Sequence, residues 1–150
     1  MDDVRTDLEL SDIDKDEVIR YLGYGNSRPD ENVMKLLDEC EKQVLEYARA
    51  RFVYKVFDID KESGQDTIIV KNTNIELPGK SIRKHLKDCD KAVFMAVTIS
   101  EGIDRLIRIA KVKDIAQAVV VDSMASAAVE QACDRAEQVI KKEYPDMYQT

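Results

Sequence analysis

The chain alternates between stretches in which apolar residues recur every three or four positions and short runs of β-branched and aromatic residues. The first kind of stretch predicts amphipathic helices, and the second kind predicts strands. Four shorter helices are predicted in this way, with Asp30, Ser81 and Ser100 as N-caps of the last three. They cover residues 14–22, 30–50, 81–87 and 100–111.

A fifth and much longer helix is predicted from Asp114 to about Lys142, and Pro145 prevents its continuation. At 1.5 Å per residue, its length would be on the order of 40 Å. Because its first half is apolar nearly all round, we expect that half to be buried, with neighbouring backbones packed closely against its alanines. The apolar residues are Ile115, Ala118, Val119, Val120, Val121, Met124, Ala125, Ala127 and Ala128.

Four segments have the composition of strands. The N-terminal segment, which precedes all four of them, is acidic. Residues 92–99 form an unbroken apolar run, which predicts the centre of a sheet covered on both faces. Residues 1–12 are expected to be loose. The other strands are predicted at residues 52–59, 67–70 and 75–77. The pattern therefore predicts an α+β fold: a small, mainly antiparallel sheet packed against the long C-terminal helix, with shorter helices flanking it.

Composition and net charge argue against several classes of protein. The 150 residues suit a single domain, 1–150, and 44 % apolar with 35 % charged residues is typical of a globular chain. The formal net charge of -7 argues against nucleic acid as a partner, since nucleic-acid binders usually present a basic face. No apolar stretch is long enough to span a membrane, and the acidic N-terminus is unlike a signal peptide. We therefore expect a cytoplasmic protein that does not bind membranes.

The residues that commonly carry catalysis or bind metals are few. Cys40, Cys89 and Cys133 lie far apart, an odd count that suits a reducing compartment, and the last two are interpreted as buried small apolar residues. With His85 as the only histidine, interpreted as a surface residue, neither a zinc site nor a Ser–His or Cys–His pair is predicted. The turn at residues 100–102 precedes a helix and could hold an anion, but without a glycine-rich loop we interpret it as a cap. No self-contained catalytic site is predicted.

The long helix carries a polar seam in its otherwise apolar sequence. Asp122, Ser126, Glu130 and Asp134 are four residues apart and share roughly one face of the helix. Ionised carboxylates in such a helix need water, a partner or a ligand. One interpretation is that this face simply meets solvent. The other places Glu130 in a cleft, where a rigid helix would hold its carboxylate against a cationic or amine-bearing ligand.

Several short motifs follow one another in a particular order. They are Arg20-Tyr21-Leu22-Gly23-Tyr24, Leu77-Pro78-Gly79-Lys80-Ser81, Cys89-Asp90-Lys91-Ala92-Val93, Asp104-Arg105-Leu106-Ile107 and Ala127-Ala128-Val129-Glu130. This order is similar to that of small stand-alone bacterial proteins related to the activation domain of vitamin B12-dependent methionine synthase. The resemblance extends over most of the chain, from about Asp16 to Lys142.

The resemblance implies a function in the repair of cobalamin. The family's activation domain binds S-adenosylmethionine and docks on the cobalamin-binding domain, so that one-electron reduction of oxidised cobalamin is followed by remethylation. Glu130 matches the family's glutamate that contacts S-adenosylmethionine, and Ser126 and Asp122 share its face as further ligand-binding candidates. We therefore expect an accessory module of methionine biosynthesis. Its partner would be the cobalamin-binding domain of methionine synthase or another corrinoid protein, which holds the cobalamin.

One motif of the family is missing from the sequence. The family has an arginine followed closely by Pro-Gly-Tyr after the long helix, and no Pro-Gly-Tyr occurs in these 150 residues. We expect the natural chain to continue past Thr150 and to bind S-adenosylmethionine in its complete form. The alternative is an interaction or regulatory domain without a ligand, in which the Glu130 face is solvated. An enzyme that acts alone ranks third.

Overall fold

The computed structural model describes residues 4–147, with side chains from residue 6 onward. The chain falls into two compact units. The first, here named the helical unit, comprises residues 6–52 and 97–147. The second, the strand unit, comprises residues 53–96 together with residues 4–5. No helix in the described range is long and apolar enough to cross a membrane.

Helices and strands are mixed along the chain. The helices are α1 (Lys15–Tyr21), α2 (Glu31–Tyr47), α3 (Lys80–His85), α4 (Glu101–Lys113) and α5 (Ile115–Glu143). The strands are β1 (Val4–Leu8), β2 (Ala50–Asp60), β3 (Thr67–Val70), β4 (Glu76–Pro78) and β5 (Lys91–Thr98). Antiparallel strand pairs together with a long C-terminal helix confirm the predicted α+β class.

The helical unit is built around α5, which packs against α1, α2 and α4. Met124 and Ala128 on α5 are fully buried and Val120 nearly so, which confirms the prediction for these residues. Leu37 and Val44, on α2, are buried in the same cluster. Burial of apolar surface contributes roughly 25 cal/mol per Å², and this packing stabilises helices that would be marginal in isolation.

Aspartates cap three helices of this unit. Asp14, Asp30 and Asp114 precede α1, α2 and α5, and each side chain accepts hydrogen bonds from backbone N–H groups of the first turn. Asp30 confirms the predicted cap, since its Oδ1 lies 2.9 Å from the backbone nitrogen of Val33. These carboxylates also lie at the positive ends of the helix dipoles, which stabilises the helix starts further.

Two predicted serine caps are wrong. Ser81 lies inside α3, whose N-cap position is Gly79, and no side chain caps that helix. Ser100 holds the N-cap position of α4, but its side chain makes no bond to the first turn, and its hydroxyl instead donates to the carbonyl oxygen of Tyr47, 3.4 Å away. The reason is the backbone: a capping side chain needs an extended residue with negative φ, whereas Ser100 has a φ of 83°.

The first half of α5 also departs from its prediction. Ile115 and Val119 are predicted to be buried, but they are 74 % and 51 % exposed. A helix that packs on several neighbours still presents a stripe to solvent, and positions 115, 119, 122, 126 and 130 recur at the spacing of one such stripe. Apolar composition all round the helix therefore does not bury its whole circumference.

The strand unit contains an antiparallel meander. β2 pairs with β3 through Ile59 opposite Val70, and β3 pairs with β4 through Ile68 opposite Leu77. Ile59, Ile68 and Leu86 form a small buried core, and α3, which precedes Leu86, packs on β3 and β4. The two short strands match their predicted positions to within one residue.

The central strand of the sheet is β2, which pairs with β1, β3 and β5. The prediction that residues 92–99 form the centre, covered on both faces, is therefore wrong. No side chain of β5 is fully buried, and Val93 and Met95 are only half-buried. β2 has 11 residues against 8 in β5, so it is long enough to pair with different strands along its length.

Residues 1–12 are predicted to be loose, and β1 shows that this is wrong for residues 4–8. The strand joins the sheet beside β2. Its sequence alternates apolar or β-branched residues with charged ones, a period of two that is typical of strands. The acidic composition of the segment obscured this period. Residues 1–3 lie outside the described residues.

The turn between β2 and β3 is organised by Asp60. Its carboxylate accepts hydrogen bonds from the backbone nitrogens of Glu62 and Ser63, at 2.9 and 3.0 Å, and from the Ser63 hydroxyl. These bonds favour the charged form and lower the pKa of Asp60 to about 2, with the Ser63 hydroxyl as the largest cause. This pKa lies below the pKa that Asp60 has in the unfolded chain. The charged side chain therefore stabilises the turn above about pH 4, and that contribution to stability is lost as the pH falls towards 2.

We predict that Ser63→Ala raises the pKa of Asp60 without restoring its ordinary value, because the two backbone donors remain. NMR titration of the side-chain carboxyl carbons measures this change. Asp58 is the internal control: Lys91 lowers the pKa of Asp58 through a hydrogen bond that the substitution leaves in place. An unchanged pKa of Asp60 would show that the backbone donors alone account for the shift.

Candidate functional site

Asp122, Ser126 and Glu130 lie on one face of α5, as their spacing predicts, and all three side chains are exposed. The Ser126 hydroxyl donates to the carbonyl oxygen of Asp122, 3.1 Å away. Within residues 4–147, the ion pairs engage neither Asp122 nor Glu130. Both carboxylates are therefore open to water or to a ligand. We name these three residues the α5 stripe.

Two kinds of contact fix the helix backbone that carries the α5 stripe: core packing and side-chain hydrogen bonds. Val121 and Met124, on the opposite side of the helix, are fully buried. Gln131, which follows Glu130, binds the loop before α1: its Oε1 accepts from the backbone nitrogen of Asp14 at 2.8 Å, and its Nε2 donates to the carbonyl oxygen of Asp12 at 3.1 Å. Glu130 thus projects from a fixed segment, which reduces the entropy lost when a ligand binds.

Cys133 lies one turn beyond Glu130 and is half-buried, where full burial was predicted. Desolvation raises the pKa of the Cys133 thiol, and the carboxylates of Glu130, Glu137 and Asp134 add to the shift. A thiol with a raised pKa is protonated at neutral pH and is a weak nucleophile. Cys133 therefore supplies no reactive thiolate to this face of the helix.

A second polar feature of the helical unit is an open groove of about 1210 Å³. It is bounded by the end of β1, the C-terminal end of α2, the start of β2 and the N-terminal end of α4, and we name it the α2–α4 groove. Its charged side chains are Asp7, Glu9, Glu46, Glu101, Arg49, Arg51 and Arg105. Residues with four carboxylates and three guanidinium groups therefore line the groove, so charges of both signs lie along it.

Two backbone contacts fix the edge of the α2–α4 groove. Nη1 of Arg49 donates to the carbonyl oxygens of Glu46 and Ala48, at 2.8 and 2.7 Å, so the guanidinium caps the end of α2. Gly102 lets the start of α4 approach α2, since a Cβ at this position would lie 3.0 Å from the carbonyl oxygen of Tyr47. A larger residue at Gly102 would require the start of α4 or the end of α2 to shift by a few tenths of an ångström.

The sequence alone did not reveal the α2–α4 groove. From sequence, the turn at residues 100–102 is interpreted as a cap, and residues 7–10 belong to a segment expected to be loose. The pair Arg49 and Arg51, which flanks the first residue of β2, was the one local signal of a charged edge. The α5 stripe is separate, because none of its three residues lines the groove.

The other residues with reactive side chains do not form a site. His85 is exposed at the end of α3, as predicted. Cys40 is buried, which raises the pKa of its thiol to about 11, with added contributions from Glu39 and Asp114. Cys89 is half-buried, less than predicted. In the described part of the chain, no group of three His, Cys, Asp or Glu side chains is arranged to hold a metal ion.

Comparison with known proteins adds no family assignment. No protein-family model matches the chain, and no curated protein sequence matches it.

Proposed function

We propose that this protein is an accessory module for the reductive reactivation of cobalamin in methionine synthase or a related corrinoid protein, and that its complete form uses S-adenosylmethionine. In this role it binds S-adenosylmethionine and docks on the cobalamin-binding domain of its partner. The partner supplies the cobalamin chemistry, which is one-electron reduction followed by remethylation. The chain itself contacts S-adenosylmethionine and positions it by docking on the cobalamin-binding domain.

The observation that carries this proposal is the position of Glu130. It matches the glutamate through which the family contacts S-adenosylmethionine, and it is exposed on a helix whose opposite side is buried. Its carboxylate is a strong acceptor for the ammonium group of the ligand's methionine part. Asp122 and Ser126 lie on the same face and extend the polar surface that such a ligand would meet.

A ligand-free interaction domain is the second candidate function. It is favoured by large aliphatic side chains that are exposed where α4 meets α5, Val112 and Ile115 foremost among them. Exposed apolar patches often mark surfaces at which proteins interact. The two functions differ in whether S-adenosylmethionine binds, so a ligand titration separates them.

We predict that residues 1–150 bind S-adenosylmethionine weakly or not at all. In the family an arginine beside Pro-Gly-Tyr holds the ligand carboxylate, and this sequence contains no Pro-Gly-Tyr. A hydrogen bond to a charged group contributes about 1.5–3 kcal/mol, so its absence lowers the affinity roughly ten- to a hundredfold. Isothermal titration calorimetry of this chain, beside a version extended by a segment that carries the arginine and Pro-Gly-Tyr, measures the difference.

Two outcomes of that titration are decisive. Micromolar binding by residues 1–150 would show that the missing motif is not essential. Absence of binding by an extended chain that contains the arginine and Pro-Gly-Tyr would overturn the proposed function and favour the ligand-free interaction domain.

A further inference from the structure

Three exposed lysines lie on α3 and just after it, in the strand unit. Lys80 and Lys84 are one turn apart on the helix, so they share a face, and Lys87 follows in the turn after the helix ends. At 1.5 Å per residue, Lys80 and Lys84 are about 6 Å apart along the helix axis. We name these three residues the α3 lysine patch.

The strand unit holds the backbone of the α3 lysine patch in place. Ile82 and Leu86 are offset by half a turn from Lys80 and Lys84, and they pack into the small core of this unit. Nη1 of Arg83 donates to the carbonyl oxygen of residue 64 at 3.0 Å, which ties α3 to the turn between β2 and β3. The helix that presents the lysines is therefore fixed before a partner binds, which reduces the entropy lost on binding.

The charge of the α3 lysine patch is open to a partner. Among the described residues, the ion pairs include neither Lys80 nor Lys84, and Lys87 has only a 3.9 Å contact with the adjacent Asp88. An exposed pair of this kind contributes little to stability. No aspartate or glutamate occurs between Glu76 and Asp88 in the sequence. The patch is therefore a local positive region on a chain whose net charge is -7.

Charge complementarity identifies the kind of partner that fits this surface. Ammonium groups attract carboxylates and phosphates. Nucleic acids and anionic membranes are negative over areas much larger than the patch, so the net charge of -7 opposes their approach. A short acidic segment of a protein can meet the patch alone. In an acidic helix, carboxylates four residues apart repeat every 6 Å or so, which is the spacing of Lys80 and Lys84.

We propose that the α3 lysine patch is a docking surface for an acidic helical segment of a partner protein. Its contacts are exposed charge pairs, each of which contributes little, so the complex is weak and sensitive to salt. We expect a dissociation constant of roughly 10–1000 µM at low ionic strength. Contacts of this kind set the orientation and rate of an encounter more than its affinity. The inference does not depend on S-adenosylmethionine binding, and its test is separate.

A synthetic helical peptide with glutamate at every fourth position tests the docking surface. In an NMR titration of the 150-residue chain, this peptide should shift the backbone amide signals of residues 79–88 more than those of any other segment. A matched peptide with glutamine at the same positions should leave the signals unchanged, because it carries no charge. An increase in salt from about 0.02 to 0.5 M should weaken binding of the glutamate peptide at least about tenfold, since salt screens exposed charges.

Charge reversal tests whether the α3 lysine patch itself, rather than the net charge of the chain, attracts the peptide. The test variant combines Lys80→Glu, Lys84→Glu and Lys87→Glu. The control variant reverses three exposed cations of α4 and changes the net charge by the same amount; it combines Arg108→Glu, Lys111→Glu and Lys113→Glu. The test variant should bind the glutamate peptide at least about tenfold more weakly than the control variant. The single variant Lys84→Glu, which perturbs the fold less, should weaken binding several-fold.

Three results would overturn the proposal. Equal losses of affinity in the two triple variants would show that the net charge alone governs binding. Amide shifts that are absent, or that are larger outside residues 79–88, would place the acidic peptide elsewhere or nowhere. Tighter binding of a short DNA duplex, or of vesicles that contain phosphatidylserine, would exclude an acidic protein segment as the preferred partner of this surface.

Discussion

Replacement of Met124 by alanine should lower the free energy of unfolding by about 2–5 kcal/mol. Met124 is fully buried on α5, within the core cluster of the helical unit. The substitution removes apolar surface from the core and leaves a cavity that the surrounding helices fill only in part. For a chain of this size, the melting temperature should fall by roughly 5–15 °C. Thermal unfolding followed by circular dichroism measures the change.

Val119→Ala is the matched control for this experiment. It also shortens an aliphatic side chain of α5, but Val119 is half exposed, so the free energy of unfolding should change by less than about 1 kcal/mol. Equal falls in melting temperature for the two variants would contradict the division of α5 into a buried side and an exposed stripe.

The long helix shows what sequence patterns can and cannot establish. The start of α5 at Asp114 and the length of the helix followed from local signals, since helix starts and helix breaking involve residues close in the chain. The exposure of Ile115 and Val119 did not follow, because valine, isoleucine and alanine occur all round the first half of the helix. Which side faces solvent depends on where α1, α2 and α4 pack, and those contacts join residues far apart in sequence.

The strands give a similar contrast. β3 and β4 were predicted because a turn and short runs of β-branched and aliphatic residues are local features. The central position of β2 was not, because strand order depends on pairing between distant segments. Residues 92–99 are as apolar as a central strand, yet Ile99 is the one residue of this run whose side chain is buried. An apolar run therefore indicates a strand without indicating its place in the sheet.

The α5 stripe and the α2–α4 groove also differ in whether they can be predicted from the sequence. The α5 stripe was predicted, because Asp122, Ser126 and Glu130 are related by helix periodicity alone. The α2–α4 groove was not, because its lining comes from three separate segments of the chain. Periodicity on one helix places side chains on a common face, whereas a groove exists only once those segments have come together.

The second large effect is expected at Glu130, in a chain extended by a segment that carries the family's arginine and Pro-Gly-Tyr. Glu130→Gln keeps the shape of the side chain but removes the charge that would face the ligand's ammonium group. A hydrogen bond to a charged group contributes about 1.5–3 kcal/mol, so the affinity for S-adenosylmethionine should fall roughly ten- to a hundredfold. The melting temperature without ligand should change little, because Glu130 is exposed and forms no ion pair in the described chain.

Asp134→Asn is the matched control for Glu130→Gln. Asp134 is an exposed carboxylate one turn further along the same helix, so its neutralisation changes the net charge by the same amount. If the long-range field of the acidic helix attracts the ligand, both variants should lose affinity alike. If Glu130 contacts the ligand, only Glu130→Gln should lose it.

Calorimetric titration of S-adenosylmethionine into the extended chain and its Glu130→Gln variant tests the proposed function most directly. We predict binding by the extended chain, at least about tenfold weaker binding by the variant, and equal melting temperatures for the two without ligand. Equal affinities would contradict the placement of the ligand at the α5 stripe, and a large fall in melting temperature would show that Glu130 has a structural role instead.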